Sequence, residues 1–288
     1  MIIGYTTGVF DMFHIGHLNI LRRAKEQCDF LIVGVSTDEL VQKDKNKTPI
    51  IPFENRCAIV EAIRYVDKVV PQEDKNKFGA WEKYHFNRMF VGSDWQGTPQ
   101  WNGYEKQFGE VGVEIVYFPH TDGISSTLLR ELIKPNGGGQ KSIIQNSSDI
   151  VCGYTTGVYD MFHIGHLNIL RRAKEKCGYL IVGVSTDECV EGYKHHTPVV
   201  TYDERAAIVA SIKYVDEVVP QTTMDKLEFL KKRHFDVMFH GDEWKGTELY
   251  NKYEREFAQY GARIEYLSHT EGISSTMLRE RINKNDNG

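Results

Sequence analysis

The residues best placed to do chemistry are two pairs of histidines, His14-Ile-Gly-His17 and His163-Ile-Gly-His166. Each pair stands where an apolar, strand-like segment gives way to a helical pattern. Two imidazoles three residues apart at a helix start lie on the same side, and the unpaired N–H groups of that helix end favour an anion. Gly8 and Gly16, with Gly157 and Gly165, let the backbone approach a ligand closely. The group suits a polyphosphate whose α-phosphorus is under attack, with two His donors stabilising the developing charge and no covalent intermediate. One histidine alone is usually a surface or satisfied core residue. Two His and two Gly at a β-to-α junction, occurring twice, are not explained that way. Zinc fails on ligand count, since H-x-x-H supplies two ligands and no third stands at useful spacing.

A second constellation is His120-Thr-Asp-Gly-Ile-Ser-Ser-Thr127, repeated as His269-Thr-Glu-Gly-Ile-Ser-Ser-Thr276. Hydroxyls before an apolar helix are N-caps in the plainer reading. The same hydroxyls and free N–H groups form a second phosphate cradle, followed within a turn by Arg130 or Arg279.

Stepping outward, the segment Gly4 to His17 recurs as Gly153 to His166 with Phe10 replaced by Tyr159 as the one change. The same offset of 149 maps Arg56 onto Arg205, Trp95 onto Trp244 and Ser125 onto Ser274, without a gap. A period this long is a duplicated domain and not a solenoid. The stretch between the copies is rich in Gly, Asn and Ser and reads as a flexible tether over 135–149. Residues 1–134 and 150–288 are then the two domains, each of a size that folds alone.

Within a copy, strands and helices alternate. Ile2–Tyr5 reads as a first strand and His17–Gln27 as a helix with Leu18, Leu21 and Ala24 on one face. Phe30–Val35 is an apolar run of the kind found in a parallel sheet covered on both faces. Phe53–Ile63 is a further helix, 68–70, 89–91 and 113–118 are strands, and a last helix starts near Ser126. The pattern predicts an α/β fold: two tandem doubly wound, parallel-sheet, Rossmann-like domains. Their ligands sit beyond the carboxyl ends of the strands at the switch point. Lys43–Lys47 reads as a charged loop. Trp81, Trp101 and Tyr250–Tyr253 are packing residues before they are pocket walls.

The 288 residues carry 41% hydrophobic and 26% charged residues, the balance of a soluble globular protein. A net charge of −5 and a pI near 6.1 argue against a nucleic-acid partner, so an anionic substrate has to be held by local positive groups. No run reaches the roughly 18 apolar residues of a membrane span, and Met1 to Tyr5 lacks a basic leader. Five cysteines without a C-x-x-C pair fit neither a disulfide framework nor zinc. Cys28 and Cys177 read as small buried apolar residues. The expected compartment is the cytoplasm.

G-x-F-D-x-x-H-x-G-H, the Arg64-Tyr-Val-Asp67 segment, Gly92-Ser-Asp-Trp95 and the Gly-Ile-Ser-Ser-Thr stretch together resemble the cytidylyltransferase family, over nearly all of each copy. The likeness is greatest to the glycerol-3-phosphate type, with the choline- and ethanolamine-phosphate types near behind. The resemblance implies transfer of CMP from CTP to a small phosphorylated alcohol, glycerol 3-phosphate favoured, with Mg²⁺ accompanying CTP and pyrophosphate released. It implies a catalytic role for His14, His17, His163 and His166. It assigns a mobile lysine, Lys45 or Lys194, in the loop before the second helix. Nucleotide binding falls to Thr7, Gly8, Val9, Phe10, Asp11 and Gly16, then to Asp94, Trp95, His120, Thr121, Ser125, Ser126 and Thr127. In the second copy it falls to Thr156, Gly157, Val158, Tyr159, Asp160 and Gly165, then to Glu243, Trp244, His269, Thr270, Ser274, Ser275 and Thr276. Acceptor binding falls to Arg56, Arg64, Arg205 and Lys213, and no residue is assigned to a metal. Where the family has Arg before the signature Thr, His120 and His269 stand here, a weaker and pH-dependent donor. Ethanolamine- or choline-phosphate acceptors, an ATP-using adenylyltransferase, and one copy as a non-catalytic nucleotide-binding partner are the competing readings. Family resemblance also implies dimerisation through the Arg-Tyr-Val-Asp segment, which the tether would allow between the two copies of one chain.

Overall fold

The computed structural model describes residues 1–119, 150–270 and 272–285. The tether, the last helix of the first copy and its candidates His120, Thr121, Ser125, Ser126 and Thr127 lie outside them. The described residues build two domains, each on a five-stranded sheet.

In the first, β1 (Ile3–Gly8), β2 (Phe30–Ser36), β3 (Lys68–Gln72), β4 (Arg88–Gly92) and β5 (Glu114–Phe118) run in the order β3-β2-β1-β4-β5. All pairs are parallel. The helices are α1 (Ile15–Lys25), α2 (Asp38–Lys45), α3 (Phe53–Glu61), α4 (Lys77–Tyr84) and α5 (Pro99–Glu110). The second domain repeats this with β6 (Cys152–Gly157), β7 (Tyr179–Ser185), β8 (Glu217–Gln221), β9 (Val237–Gly241) and β10 (Arg263–Leu267). Its helices are α6 (Ile164–Lys174), α7 (Asp187–Lys194), α8 (Tyr202–Ala210), α9 (Lys226–Lys232), α10 (Glu248–Ala258) and α11 (Ser275–Asn285). Registers correspond under the offset of 149: Ile3 faces Phe30 and Cys152 faces Tyr179.

Alternation along the strands divides the core between two faces. Tyr5, Ile32, Val70 and Met89 pack with Phe86, Trp101 and Phe108. On the other face Gly4 lies against Cys28 and Phe90, so closely that a Cβ there would stand 2.6 Å from both side chains. Gly153 meets Cys177 and Phe239 in the same way. The cysteines are thus packing residues; all five are free, and burial pushes the Cys177 thiol up to about 11.

Three helices per domain were not anticipated. Residues 38–45 are helical and not a loop, with Thr37 as N-cap and Val41 the one buried side chain, too thin an apolar stripe to show periodicity. α4 buries no residue fully. In α5, Gly103 and Gly109 interrupt the pattern while Thr98 and Pro99 start the helix. α1 begins at Ile15, two residues early, because His14 itself is the cap. No helix among the described residues is long and apolar enough to cross a membrane.

Gly153→Ala is expected to destabilise the second domain by about 1–3 kcal/mol through overpacking. Cys177→Ala added to it should restore part of that loss in urea unfolding. Two independent losses would contradict the packing described here.

Candidate functional site

Strand order reverses direction at β1, and a cavity of about 370 Å³ opens beyond its carboxyl end. Thr7, His17, Lys45, Lys77, Asp94 and Trp95 are among its walls.

The histidine pair is built by the helix start. Nδ1 of His14 accepts the Gly16 N–H at 3.1 Å, and Nδ1 of His163 accepts that of Gly165 at 3.1 Å. A ring whose Nδ1 accepts carries its proton on Nε2, so each N-cap histidine is a donor at its outer nitrogen. Gly16 serves this cap: a Cβ there would stand 2.9 Å from the His14 ring. Gly8 likewise makes room for the Phe10 ring, 3.0 Å from a Cβ. The room beside both glycines, expected to admit ligand, is taken by side chains of the protein itself. His14 stacks on His17 with centroids 3.8 Å apart, and His163 on His166 at 3.9 Å. Burial first, and the neighbouring ring second, pushes His17 down to about 3 and His166 well below the ordinary range. Burial, then His269, brings His163 to about 4. His17, His163 and His166 are neutral at physiological pH. Nδ1 of His17 and of His166 is buried without a hydrogen-bond partner among the described residues, an orphan that a ligand can satisfy.

The loop between β1 and α1 carries strain. Phe10 and Met12 have φ of 55° and 47°, and Tyr159 and Met161 have 56° and 51°. Each costs about 1–2 kcal/mol for a residue with a Cβ. Asp11 holds the loop, accepting the N–H groups of Met12, Ile50 and Ile51 at 2.8–3.1 Å. Asp160 takes those of Val199 and Val200 and pairs with Arg279 at 2.5 Å. Both carboxylates are therefore committed to the backbone.

Arg56 and Arg205, read as acceptor ligands, are fully buried. Arg56 donates to the carbonyls of Ile51 (2.9 Å), Val9 (2.5 Å) and Ser36 (2.8 Å) and pairs with Asp38 at 2.5 Å. Arg205 repeats this with Val200, Val158, Ser185 and Asp187. With guanidinium donors spent in this way, they clamp the floor of the site and present nothing to a phosphate. Arg64 and Lys213 are likewise not brought to the site. Each lies in the turn four residues before β3 or β8 begins, toward the amino ends of the strands. The histidines are at the carboxyl ends, roughly 17 Å away across a five-residue strand.

Lys45 and Lys194 end α2 and α7 instead of standing in a loop. Lys194 gathers with Arg279 and His166: burial first, then the Arg279 charge, lowers its pKa, with Asp160 opposing, and its own charge acts on His166. In the second copy the signature is anchored. Ser274 Oγ caps α11 by accepting the Met277 N–H at 3.2 Å, and Ser275 Oγ donates to the Asp160 carbonyl at 2.8 Å. Thr270 accepts from Asn168 at 3.0 Å, the His269 N–H donates to Asp242 at 3.2 Å, and Thr276 is exposed. Asp94 with Trp95, and Glu243 with Trp244, lie in short 3-10 turns after β4 and β9. Trp101 joins Trp95 in the cavity wall. Trp81 packs on Phe78 and His85 instead.

One residue escaped sequence reasoning. Lys77 opens α4, lines the cavity and donates its Nζ to Thr7 Oγ1 at 3.1 Å. Burial lowers it to about 8, Asp74 opposing, and its counterpart Lys226 is likewise lowered to about 8. The available signal was a lysine retained in both copies at the start of an otherwise divergent segment.

A switch-point cavity, a stacked neutral imidazole pair at a helix start and a converging cationic group define a nucleotidyltransferase. The chain belongs to the cytidylyltransferase-like family, whose model matches residues 5–132 and 154–281 and so covers both copies. It is 28% identical to ethanolamine-phosphate cytidylyltransferase of Dictyostelium discoideum, over 96% of this chain and 89% of the relative. The mouse protein of that name is 27% identical over 81% of this chain and 74% of its own. Glycerol-3-phosphate cytidylyltransferase of Bacillus subtilis is 36% identical over 44% of this chain and 94% of its own length, a single copy.

Arg56→Met should lower stability by about 3–5 kcal/mol in urea unfolding, since it strands Asp38 and three carbonyls. Near-wild-type stability with a raised acceptor KM would restore the phosphate-binding role. The neutral imidazoles also set a pH dependence. The unfolded chain takes up protons below about pH 6.5 that the folded chain refuses. Their stabilisation is complete above pH 6.5 and is lost as pH falls toward 4. The urea midpoint should drop from pH 7 to pH 5, and drop less in His17→Gln with His166→Gln. An equal drop would contradict burial of neutral rings.

Proposed function

We propose that each copy transfers CMP from CTP to the phosphate of a small phosphorylated alcohol. An acceptor phosphate oxygen bonds to the α-phosphorus as the bond to the bridging oxygen breaks, and pyrophosphate leaves. The observation that carries this reading is the stacked imidazole pair with its orphaned nitrogen, set in the second copy beside Lys194 and Arg279. Nε2–H of His14 or His163 and a ring N–H of the stacked His17 or His166 donate to the α-phosphate, where charge develops. Lys45 or Lys194 lies over the leaving pyrophosphate. Lys77, across the first-copy cavity, and its counterpart Lys226 hold the acceptor phosphate in place of the clamped arginines. Positioning and charge stabilisation are the protein's whole share, as in phosphoryl transfer generally.

Mg²⁺ accompanies CTP in this reading. The ion is carried in it by phosphate oxygens and not by a protein cage. Bound there it supplies charge neutralisation to the leaving group.

Two acceptors are favoured by specific observations. Asp94-Trp-Gln-Gly97 and the identity of a single copy to the Bacillus enzyme support glycerol 3-phosphate. The tandem arrangement, matched along nearly the whole chain, supports ethanolamine phosphate.

The test is pyrophosphate release with CTP against a panel of phosphorylated alcohols. His17→Ala with His166→Ala should lose about 10²–10³-fold in kcat, the effect of removing an oxyanion donor, with circular dichroism unchanged. Wild-type turnover in that double variant would remove the assignment.

A further inference from the structure

The phosphate half of the site is nearly identical in the two copies, but the half that faces the acceptor's organic end is not. In the first copy Asp44 at the end of α2 forms an ion pair with Lys75 in the loop before α4, and both line the cavity. Gln100 on α5 lines it as well. The positions of Asp44, Lys75 and Gln100 are held in the second copy by Tyr193, Met224 and Leu249, all exposed. The ion pair has been replaced at both ends together, which is what the loss of one function and the gain of another requires.

A polar group has been added in exchange. Val91 of β4 lines the first cavity and pairs with Tyr117. In that register, paired with Tyr266, β9 carries His240. Its Nδ1 accepts the Gly241 N–H at 3.0 Å, and its ring lies 4.7 Å from Tyr250 and 5.6 Å from Trp244. Glu243 replaces Asp94, and the longer side chain folds back over Gly241, where Asp94 keeps 4.0 Å from the Cβ position of Gly92. Its charge acts on Tyr250. The second site thus keeps the carboxylate and aromatic faces that Asp94, Trp95, Trp101 and Tyr104 form in the first, and lacks the Lys75–Asp44 pair that stands beside them there.

These differences have a chemical direction. Lys75, Asp44 and Gln100 offer donors and acceptors to a chain of hydroxyls, and the ammonium of Lys75 repels a cation. Aromatic faces with a carboxylate and no nearby Lys75 attract an alkylammonium. We propose that the two copies are two enzymes of different acceptor specificity in one chain: the first takes a polyhydroxyalkyl phosphate and the second an aminoalkyl phosphate. Both perform the same covalent step, so this rests on the function proposed above.

The test uses the full chain with one site disabled at a time. His166→Ala leaves the first copy and His17→Ala the second. For each, kcat/KM is measured with CTP and glycerol 3-phosphate and with CTP and ethanolamine phosphate. The ratio of the two values should differ between the variants by at least about tenfold, the scale that changed polar contacts command, with glycerol 3-phosphate preferred by the first copy. Tyr193→Asp with Met224→Lys in the His17→Ala chain should move the ratio back toward glycerol 3-phosphate. Equal ratios, a reversed order, or no turnover by one single-site variant would overturn the proposal while leaving the transferase reading in place. A wild-type chain that releases no pyrophosphate with any acceptor would overturn both.

Discussion

Everything at the site hangs from one buried guanidinium in each domain. Arg56 gathers carbonyl oxygens from the β1–α1 loop, the end of β2 and the approach to α3, and closes on Asp38. Asp11 does the converse, taking the N–H groups of the approach to α3. Cation and carboxylate together stitch the same two loops through opposite backbone groups. Bonds of this charged kind contribute about 1.5–3 kcal/mol each, enough to offset the left-handed backbone at Phe10 and Met12. Strain at that turn is what brings His14 to the head of α1 with its ring already committed to the helix.

From that point the electrostatics follow. The stacked rings stay uncharged because burial and mutual repulsion oppose protonation. In the second copy the site sets the imidazole pair beside two full charges, Lys194 and Arg279. Burial first, and the Arg279 charge second, lowers the pKa of Lys194.

How much of this was readable in the chain depended on the range of the interaction. The β-to-α junction, the histidine pair and the duplication are local patterns, and the family motifs come in order. The parallel sheets followed from apolar runs such as Phe30–Val35. Arg56 was visible as an arginine in a helix, yet its partners lie 5 to 47 residues away and reveal themselves in three dimensions only. Lys77 meets Thr7 across 70 positions and belongs to no short motif. Arg64 sits in a striking segment by sequence, but α3 returns the chain to the wrong end of the sheet before reaching it. Short helices with one or no buried residue, α2 and α4, leave no periodic trace at all.

The near-identity of β1 and β6 has a consequence for how the chain assembles. Either strand satisfies the same ladder, so backbone pairing cannot tell one domain's centre from the other's, and tandem copies of this kind are prone to exchange of equivalent elements. The strands themselves differ at one residue, Ile3 against Cys152, while the rings around the central tyrosine differ between the domains. Tyr5 is caught between Tyr84 and Phe86, with centroids at 6.0 and 4.7 Å. Tyr154 is caught between Phe229 and Phe235, at 4.2 and 5.0 Å. Phe229 stands where the first copy has Ala80, and Arg233 where it has Tyr84. The aromatic partner has moved by one turn of helix, yet Tyr5 and Tyr154 hold equivalent positions, so either strand finds a ring to stack on in either domain. Divergence of α4 from α9 thus leaves the choice of strand to Ile3 and Cys152, a large side chain against one core and a small one in the other.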